Sequence, residues 1–216
     1  MGFLRYDSDA MQAVSRAADF IILILLCVVC SVPIITIGAS VTAMYYAALR
    51  MVRREEGPVF RMYFKSFREN FRQATVIWLI CLAAMALLGY DWLLTVERSG
   101  LQLTSPYQLI LLVVTVFVLM MVYCIFPILS RFQVTIGGAF KTAFTFAYIH
   151  PLQMLAVIAA TIAPYYIGTH YLRWFLGIWV FFVGFTLYFS AGMYAKYFKV
   201  LEDRFLQSET EGSEEV

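Results

Sequence analysis

Long apolar stretches separated by short polar segments dominate the hydropathy pattern of this chain. Five of these stretches are long enough to cross a bilayer as helices of about 20 residues. They lie at about residues 17–38, 74–94, 107–130, 151–170 and 174–195. The pattern therefore predicts an all-α protein, a polytopic transmembrane helix bundle of about five spans that forms a single domain over residues 1–200.

The segment between the first two stretches, residues 58–72, has a different pattern. Phenylalanines and basic residues both recur there at spacings of three and four, which is the period of an α-helix. We call Phe60, Phe64, Phe67 and Phe71 the aromatic stripe, and Arg61, Lys65, Arg68 and Arg72 the basic stripe. Gly57 and Pro58 suit the start of a helix. The segment is predicted to be an interfacial amphipathic helix that runs directly into the second span.

Three roles are open for the two stripes: they lie among lipid headgroups, they dock a cytoplasmic partner such as an ATPase subunit, or they pack beneath the spans. Burying a phenylalanine contributes about 1.5–3 kcal/mol. Each lysine or arginine near anionic lipid adds about 1 kcal/mol. Four residues of each kind are enough for stable binding at the membrane surface, so we expect anionic headgroups of the bilayer to be the main partner.

Pro33 lies late in the first apolar stretch, where it is expected to kink or end a helix. Residues 39–52 remain compatible with a helix. However, residues 17–52 are too few for two spans of about 20 residues and a turn. We therefore expect one span that continues as a bent, partly buried helix.

Composition and charge support this picture. The 216 residues are 62% hydrophobic and only 14% charged, with a mean hydropathy of +0.78, whereas a soluble domain is about 45–50% apolar. Seven of the sixteen lysines and arginines lie between residues 50 and 72, so this side is predicted to be cytoplasmic. Five spans then put the N-terminus outside and residues 201–216, an acidic tail expected to be disordered, in the cytoplasm.

Two carboxylates are candidates for a polar or ion site. Asp19 and Asp91 are the acidic residues nearest to the hydrocarbon, and an intramembrane carboxylate is a functional candidate by default. Both lie at the outer ends of their spans, where water reaches them. Pairing with Arg16, Arg98 or Arg173 is therefore the first interpretation, and a proton or cation site is the alternative.

The remaining candidate residues indicate packing rather than chemistry. Gly177, Gly184 and Ala191 recur every seven residues on the fifth span, and small residues on one stripe let helices approach closely, within the bundle or in a homo-oligomer. The four cysteines lie in apolar runs without a metal or disulfide pattern. No catalytic or nucleotide-binding motif is present. We expect no enzyme activity, no metal, no cofactor and no nucleic-acid partner.

Three segments carry a resemblance to a known family. Residues 31–38 (Ser-Val-Pro-Ile-Ile-Thr-Ile-Gly), residues 53–57 (Arg-Arg-Glu-Glu-Gly) and the phenylalanine and arginine pattern of residues 60–74 resemble the YesL-like family of small bacterial integral membrane proteins. The resemblance covers residues 18–80, and the molecular function of that family is unassigned.

Members of the YesL-like family are often encoded beside carbohydrate ABC importers. The resemblance therefore implies a bacterial inner-membrane protein that is accessory or regulatory to carbohydrate uptake, with ABC importer components as partners. A small-solute transporter or channel that acts as an oligomer is the alternative.

Overall fold

The computed structural model describes residues 9–53, 57–99, 105–132, 134–149, 151–159, 162 and 190–194. Every regular element in these ranges is helical, which confirms the all-α prediction. The helices are α1 (Asp9–Cys30), α2 (Ile37–Val52), α3 (Val59–Ser99), α4 (Pro106–Arg131), α5 (Ile136–Ile149) and α6 (Pro151–Ala159). A 3-10 turn, Ile34–Thr36, precedes α2, and residues 190–194 form a further helical segment.

Three helices of the described part are long and apolar enough to cross a membrane: the 3-10 turn together with α2, then α3, and then α4. A fourth candidate arises if α5 and α6, which meet at a bend of 95°, are counted as one broken span. The chain is thus a membrane protein, and five spans is an approximate count. Most of the predicted fifth span, residues 174–195, and the acidic tail, residues 201–216, lie outside the described residues.

The first predicted span, residues 17–38, is interrupted. α1 ends at Cys30, and the chain turns through residues 31–33 before the 3-10 turn begins. Pro33 is the physical reason, because proline lacks an amide hydrogen and its ring clashes with the preceding helical turn. The bend expected there is confirmed, but the apolar run divides between α1 and α2, so the helix boundaries differ from those expected from hydropathy.

Side chains from the 3-10 turn, α2 and α3 complete the end of α1. The last carbonyl groups of a helix have no partner within it. The hydroxyl group of Ser40 donates to the carbonyl oxygen of Cys27 at 2.9 Å, and that of Thr36 donates to the carbonyl oxygen of Cys30 at 2.6 Å. The Tyr63 hydroxyl oxygen lies 2.7 Å from the Ser40 hydroxyl oxygen. The break at the end of α1 is therefore held by three helices.

α2 contacts α1, α3 and α4 and forms the centre of the bundle. Its side chains are small where it meets its neighbours: Ala39 and Ala43, one turn apart, are fully buried. A β-carbon added to Gly38 would lie 2.5 Å from Cβ of Trp78 and 2.6 Å from the carbonyl oxygen of Ala74. Small residues at such contacts allow helix backbones in membranes to approach closely.

α3 joins the predicted amphipathic segment and the second span in one continuous helix of 41 residues. At 1.5 Å per residue it is about 60 Å long, about twice the thickness of a hydrocarbon core. The prediction that the amphipathic helix runs directly into the second span is confirmed. α2 is antiparallel to α3, because Gly38 at its start packs on Trp78, whereas Leu49 near its end lines a cleft together with Lys65.

α4 is also antiparallel to α3. Near the C-terminal end of α3, the indole nitrogen of Trp92 donates to the Thr115 hydroxyl group at 3.0 Å, and the Tyr107 hydroxyl group donates to the Asp91 carboxylate at 3.0 Å. The opposite end of the bundle therefore gathers the ends of α2 and α4 and the beginning of α3. We call it the basic end, for the side chains described below.

Candidate functional site

The aromatic stripe on α3 is only partly buried. Phe60 is 60% exposed and Phe64 38% exposed, whereas Phe67 and Phe71 pack against the core. Successive ring centroids are 4.6, 6.4 and 5.5 Å apart, so the four rings form one continuous row. Contact of its exposed part with lipid headgroups or with a partner stays a prediction.

A neighbouring face of α3 is the one turned fully to the core. Its members are Val59, Met62, Tyr63 and Ser66, all of them buried. They recur at the same helical spacing as the phenylalanines and lie beside them in sequence. They were not predicted from the sequence, because the aromatic pattern next to them is the more conspicuous one.

The basic stripe divides into two pairs. All four of its side chains are exposed. Lys65 and Arg72 line a cleft at the basic end, and Arg61 and Arg68 are not among its lining residues. The stripe is therefore not one uniform surface, because half of it shares a cavity with other helices.

That cleft lies where α2, α3, α4 and the start of α5 come together. It has a volume of about 1300 Å³ and adjoins a smaller hollow of about 360 Å³. Tyr46, Lys65, Ser130 and Arg131 line both, so we treat them as one basic cleft. Five cationic side chains line it, namely Arg50, Arg53, Lys65, Arg72 and Arg131. Glu69 is the carboxylate residue in this lining, so positive charge predominates among the described lining residues.

Local contacts fix the walls of the basic cleft. The Arg50 guanidinium group donates to the Tyr46 hydroxyl group at 3.3 Å and lies 5.7 Å from the centroid of its ring, an arrangement favourable for a cation and an aromatic ring. The side-chain amide nitrogen of Gln73 donates to the carbonyl oxygen of Val134. This bond joins α3 to the chain just before α5 and sets one side of the opening.

The beginning of α5 forms part of the same opening. Thr135, Ile136 and Gly137 line the basic cleft. The backbone nitrogen of Gly138 donates to the Thr135 hydroxyl oxygen at 3.2 Å, which caps the helix start. The other amide groups of a first helical turn have no acceptor within the helix, and such groups favour anions.

Asp19 and Asp91 lie on different helices. Asp19 lies half-buried on α1, whereas Asp91 lies near the C-terminal end of α3 and accepts the hydrogen bond from Tyr107. The arginine side chains proposed as their partners are not described. In the ranges that the structure describes, no three His, Cys, Asp or Glu residues are placed to hold a metal.

The small-residue stripe of the predicted fifth span is described at one position. Gly177 and Gly184 lie outside the described residues. Ala191 is fully buried, and beside it the Ser190 hydroxyl oxygen lies 3.3 Å from that of Tyr45. At this position the stripe packs against the chain's own bundle.

The gathering of Arg131 with the cations of α2 and α3 was not predicted from the sequence. In sequence Arg131 is an isolated cation, and only the antiparallel packing of α3 and α4 brings it beside Lys65. A weak signal was available, since Arg50 and Arg131 both lie in the last turn of their helices. Helices that end on the same side of a membrane bring such residues together.

Comparison with known proteins finds a partial family match and a distant relative but no activity. A family described as "Protein of unknown function, DUF624" matches residues 20–92, which include α2 and most of α3. The uncharacterized protein YesL of Bacillus subtilis (strain 168) is 26% identical over 153 residues, which are 68% of this chain and 66% of that protein. The alignment thus spans 66% of that relative's length. No solved structure matches. The resemblance to the YesL-like family is confirmed as distant homology, and its function is unassigned.

Proposed function

We propose, from this distant homology and from the basic end, that the chain is a non-enzymatic accessory or regulatory subunit in the bacterial inner membrane. It acts beside a carbohydrate importer of the ABC class. The resemblance noted in the sequence supports the link to carbohydrate uptake. The observation that carries the accessory role is that cations from three helices and the exposed Phe60 and Phe64 lie at one end of the bundle.

The basic end faces the cytoplasm in this proposal. Lysine and arginine near the ends of membrane helices favour the cytoplasmic side, and α2, α3 and α4 all place such residues at this end. An ATPase subunit of an importer lies on that side of the membrane. The exposed phenylalanines therefore face the compartment in which a soluble partner is available.

The alternative, a small-solute transporter or channel acting as an oligomer, needs a path for the solute. The contact between α2 and α3 offers none, because Gly38 lies against Trp78 without room for a methyl group, and Ala43 and Ile77 in the core are fully buried. A path would have to run elsewhere in the chain or between copies. This close packing favours the accessory role.

Affinity capture tests the accessory role. The tagged full chain, purified in mild detergent, is expected to retain an ABC importer component in stoichiometric amount. A double variant, Phe60→Ser with Phe64→Ser, is expected to lose it, because these two side chains are the exposed part of the aromatic stripe. Tyr90→Ser is the matched control, since Tyr90 is an exposed aromatic residue near the other end of α3. Solute flux through the purified protein alone in liposomes would instead establish the transporter.

Cysteine labelling tests the orientation separately. In a background without the native cysteines, Arg61→Cys and Arg68→Cys are expected to react with an impermeant reagent only after the cells are opened. Ser15→Cys on α1 reports on the N-terminus, which five spans place outside. Labelling of residues 61 and 68 from the periplasm of intact cells would reverse the proposed orientation and remove the argument for a cytoplasmic partner.

A further inference from the structure

We propose that the basic cleft is a binding site for a phosphoryl group. The group belongs either to a soluble phosphorylated small molecule or to the headgroup of an anionic phospholipid. The site goes beyond the accessory role and does not depend on it, because its evidence is the lining of the cleft alone.

Charge is the first argument. Among the described lining residues, five cationic side chains stand beside one carboxylate, that of Glu69. Opposite charges attract one another more strongly at the edge of a low-dielectric bundle than in bulk water. An anion that carries two negative charges is therefore attracted to these side chains more strongly than a carboxylate is.

The direction from which the cations approach is the second argument. Arg50 is on the last turn of α2, Lys65 and Arg72 are on α3, and Arg131 is the last residue of α4. All of them border one cleft, so a ligand inside it meets cations from three helices. A phosphoryl group offers three strong acceptor oxygens, and a guanidinium group matches two of them in a forked pair of hydrogen bonds.

The start of α5 adds backbone donors to the same cleft. Ile136 and Gly137 lie in the first turn of this 14-residue helix and line the opening. A β-carbon added to Gly137 would meet nothing within 4 Å, so a ligand has room to approach the backbone. These amides supplement the cationic side chains, as helix starts do in many phosphate sites.

The size and the apolar rim of the cleft are compatible with both sources of the group. The volume of about 1300 Å³ exceeds the roughly 300–1,000 Å³ of an ordinary small-molecule pocket. Val76, Leu129 and Ile136 supply apolar surface along the wall, and Val76 and Ile136 are exposed. That surface suits the carbon skeleton of a metabolite or the first part of an acyl chain.

The test uses the full chain purified in a neutral detergent. In the first arm, sodium phosphate is titrated against sodium chloride at constant ionic strength, and thermal unfolding is followed by tryptophan fluorescence. In the second arm, native mass spectrometry measures retention of phosphatidylglycerol added to the same detergent. A rise in unfolding temperature with phosphate identifies a soluble ligand. Retention of the lipid without a response to phosphate identifies the headgroup.

Variants locate the site. Lys65→Gln and Arg131→Gln are each expected to weaken binding of the responding probe by about tenfold or more, the effect of losing one charged hydrogen bond. Arg68→Gln is the matched control: it removes the same charge from the exposed surface of α3 outside the cleft. It is expected to change binding by less than about twofold, since Arg68, unlike Lys65, does not line the basic cleft. Lys65→Arg, which keeps the charge, is expected to retain binding.

Three results would overturn the proposal. The first is a wild-type chain that responds to neither phosphate nor phosphatidylglycerol. The second is an Arg68→Gln variant that loses as much affinity as Lys65→Gln, which would reduce the effect to diffuse surface charge. The third is an equal response to sodium acetate, which would remove the preference for a phosphoryl group. If Arg131→Gln fails to fold, Lys65→Gln decides alone, because its side chain is exposed.

Discussion

Replacing Gly38 by alanine is expected to push α2 away from α3. The added methyl carbon would lie 2.5 Å from Cβ of Trp78 and 2.6 Å from the carbonyl oxygen of Ala74. Both distances are shorter than any van der Waals contact of a carbon atom. The second neighbour is backbone within a long helix, so no side-chain rotation relieves the clash and the two helices must separate.

Two opposing effects set the magnitude. Alanine is a better helix former than glycine and gains about 0.5–1 kcal/mol in a helix interior. Overpacking a closely packed contact costs typically about 1–3 kcal/mol. Because the backbone of Ala74 cannot move alone, we place the cost for Gly38→Ala at the upper end of that range. The net loss in free energy of unfolding is then about 2–2.5 kcal/mol, or roughly 4–10 °C in unfolding temperature for a chain of this size.

Thermal unfolding in detergent, followed by tryptophan fluorescence, measures this loss, and Trp78 at the contact serves as a local reporter. Gly89→Ala on α3 is the matched control, because a β-carbon there meets nothing within 4 Å. That variant is expected to be as stable as the wild type or slightly more stable. Equal unfolding temperatures for the Gly38 and Gly89 variants would refute the close approach of α2 and α3.

Two further predictions concern the two ends of the bundle. Tyr63→Phe removes the hydroxyl group of a fully buried side chain, which lies 2.7 Å from the Ser40 hydroxyl oxygen. It should lower the free energy of unfolding by about 1–3 kcal/mol. An unchanged chemical denaturation curve would contradict the role of this contact in holding α1. Tyr107→Phe removes the exposed hydrogen bond to Asp91 and should leave the unfolding temperature unchanged within error, whereas a clear loss of stability would indicate that Asp91 takes part in a site.

The class of the fold and its main break followed from sequence for simple reasons. Apolar stretches of span length predict membrane helices, and Pro33 cannot continue a helix. Both are properties of a few neighbouring residues, so no knowledge of the packing was needed. What hydropathy did not reveal was that α2 separates from α1 and becomes the centre of the bundle. Its alanines and Gly38 carry a packing signal that an average over apolar residues hides.

The buried face of α3 shows a second limit of prediction from sequence. Phe60 and Tyr63 belong to neighbouring faces that both recur with the helical period, and the phenylalanines are the more apolar of the two sets. The structure buries the face of Tyr63, because that face meets α2 and the end of α1. Periodicity predicts that a helix is amphipathic, but the neighbouring helices decide which of two adjacent apolar faces is covered.

The basic cleft depends on long-range packing in the same way. Lys65 was predicted as part of the basic stripe, and Arg131 lies far from it in the sequence. Their meeting requires that α4 return antiparallel beside α3, which no local pattern specifies. Charge at helix ends predicts a side of the membrane but no contact between the residues. The cavity that they share was visible only once the helices were placed.

The continuity of α3 bears on what covers Phe60 and Phe64. α4 has 26 residues and is about 39 Å long, enough to cross a core of about 30 Å and to end in the interface. Arg131 at its end lines the same hollow as Lys65. Lys65 on α3 therefore lies at about the same depth in the membrane as the end of α4. Phe60 lies about 7 Å farther along the helix, on the water side. If α3 stands upright, Phe60 lies beyond the edge of the hydrocarbon, and its cover by a protein partner rather than by lipid headgroups stays a prediction.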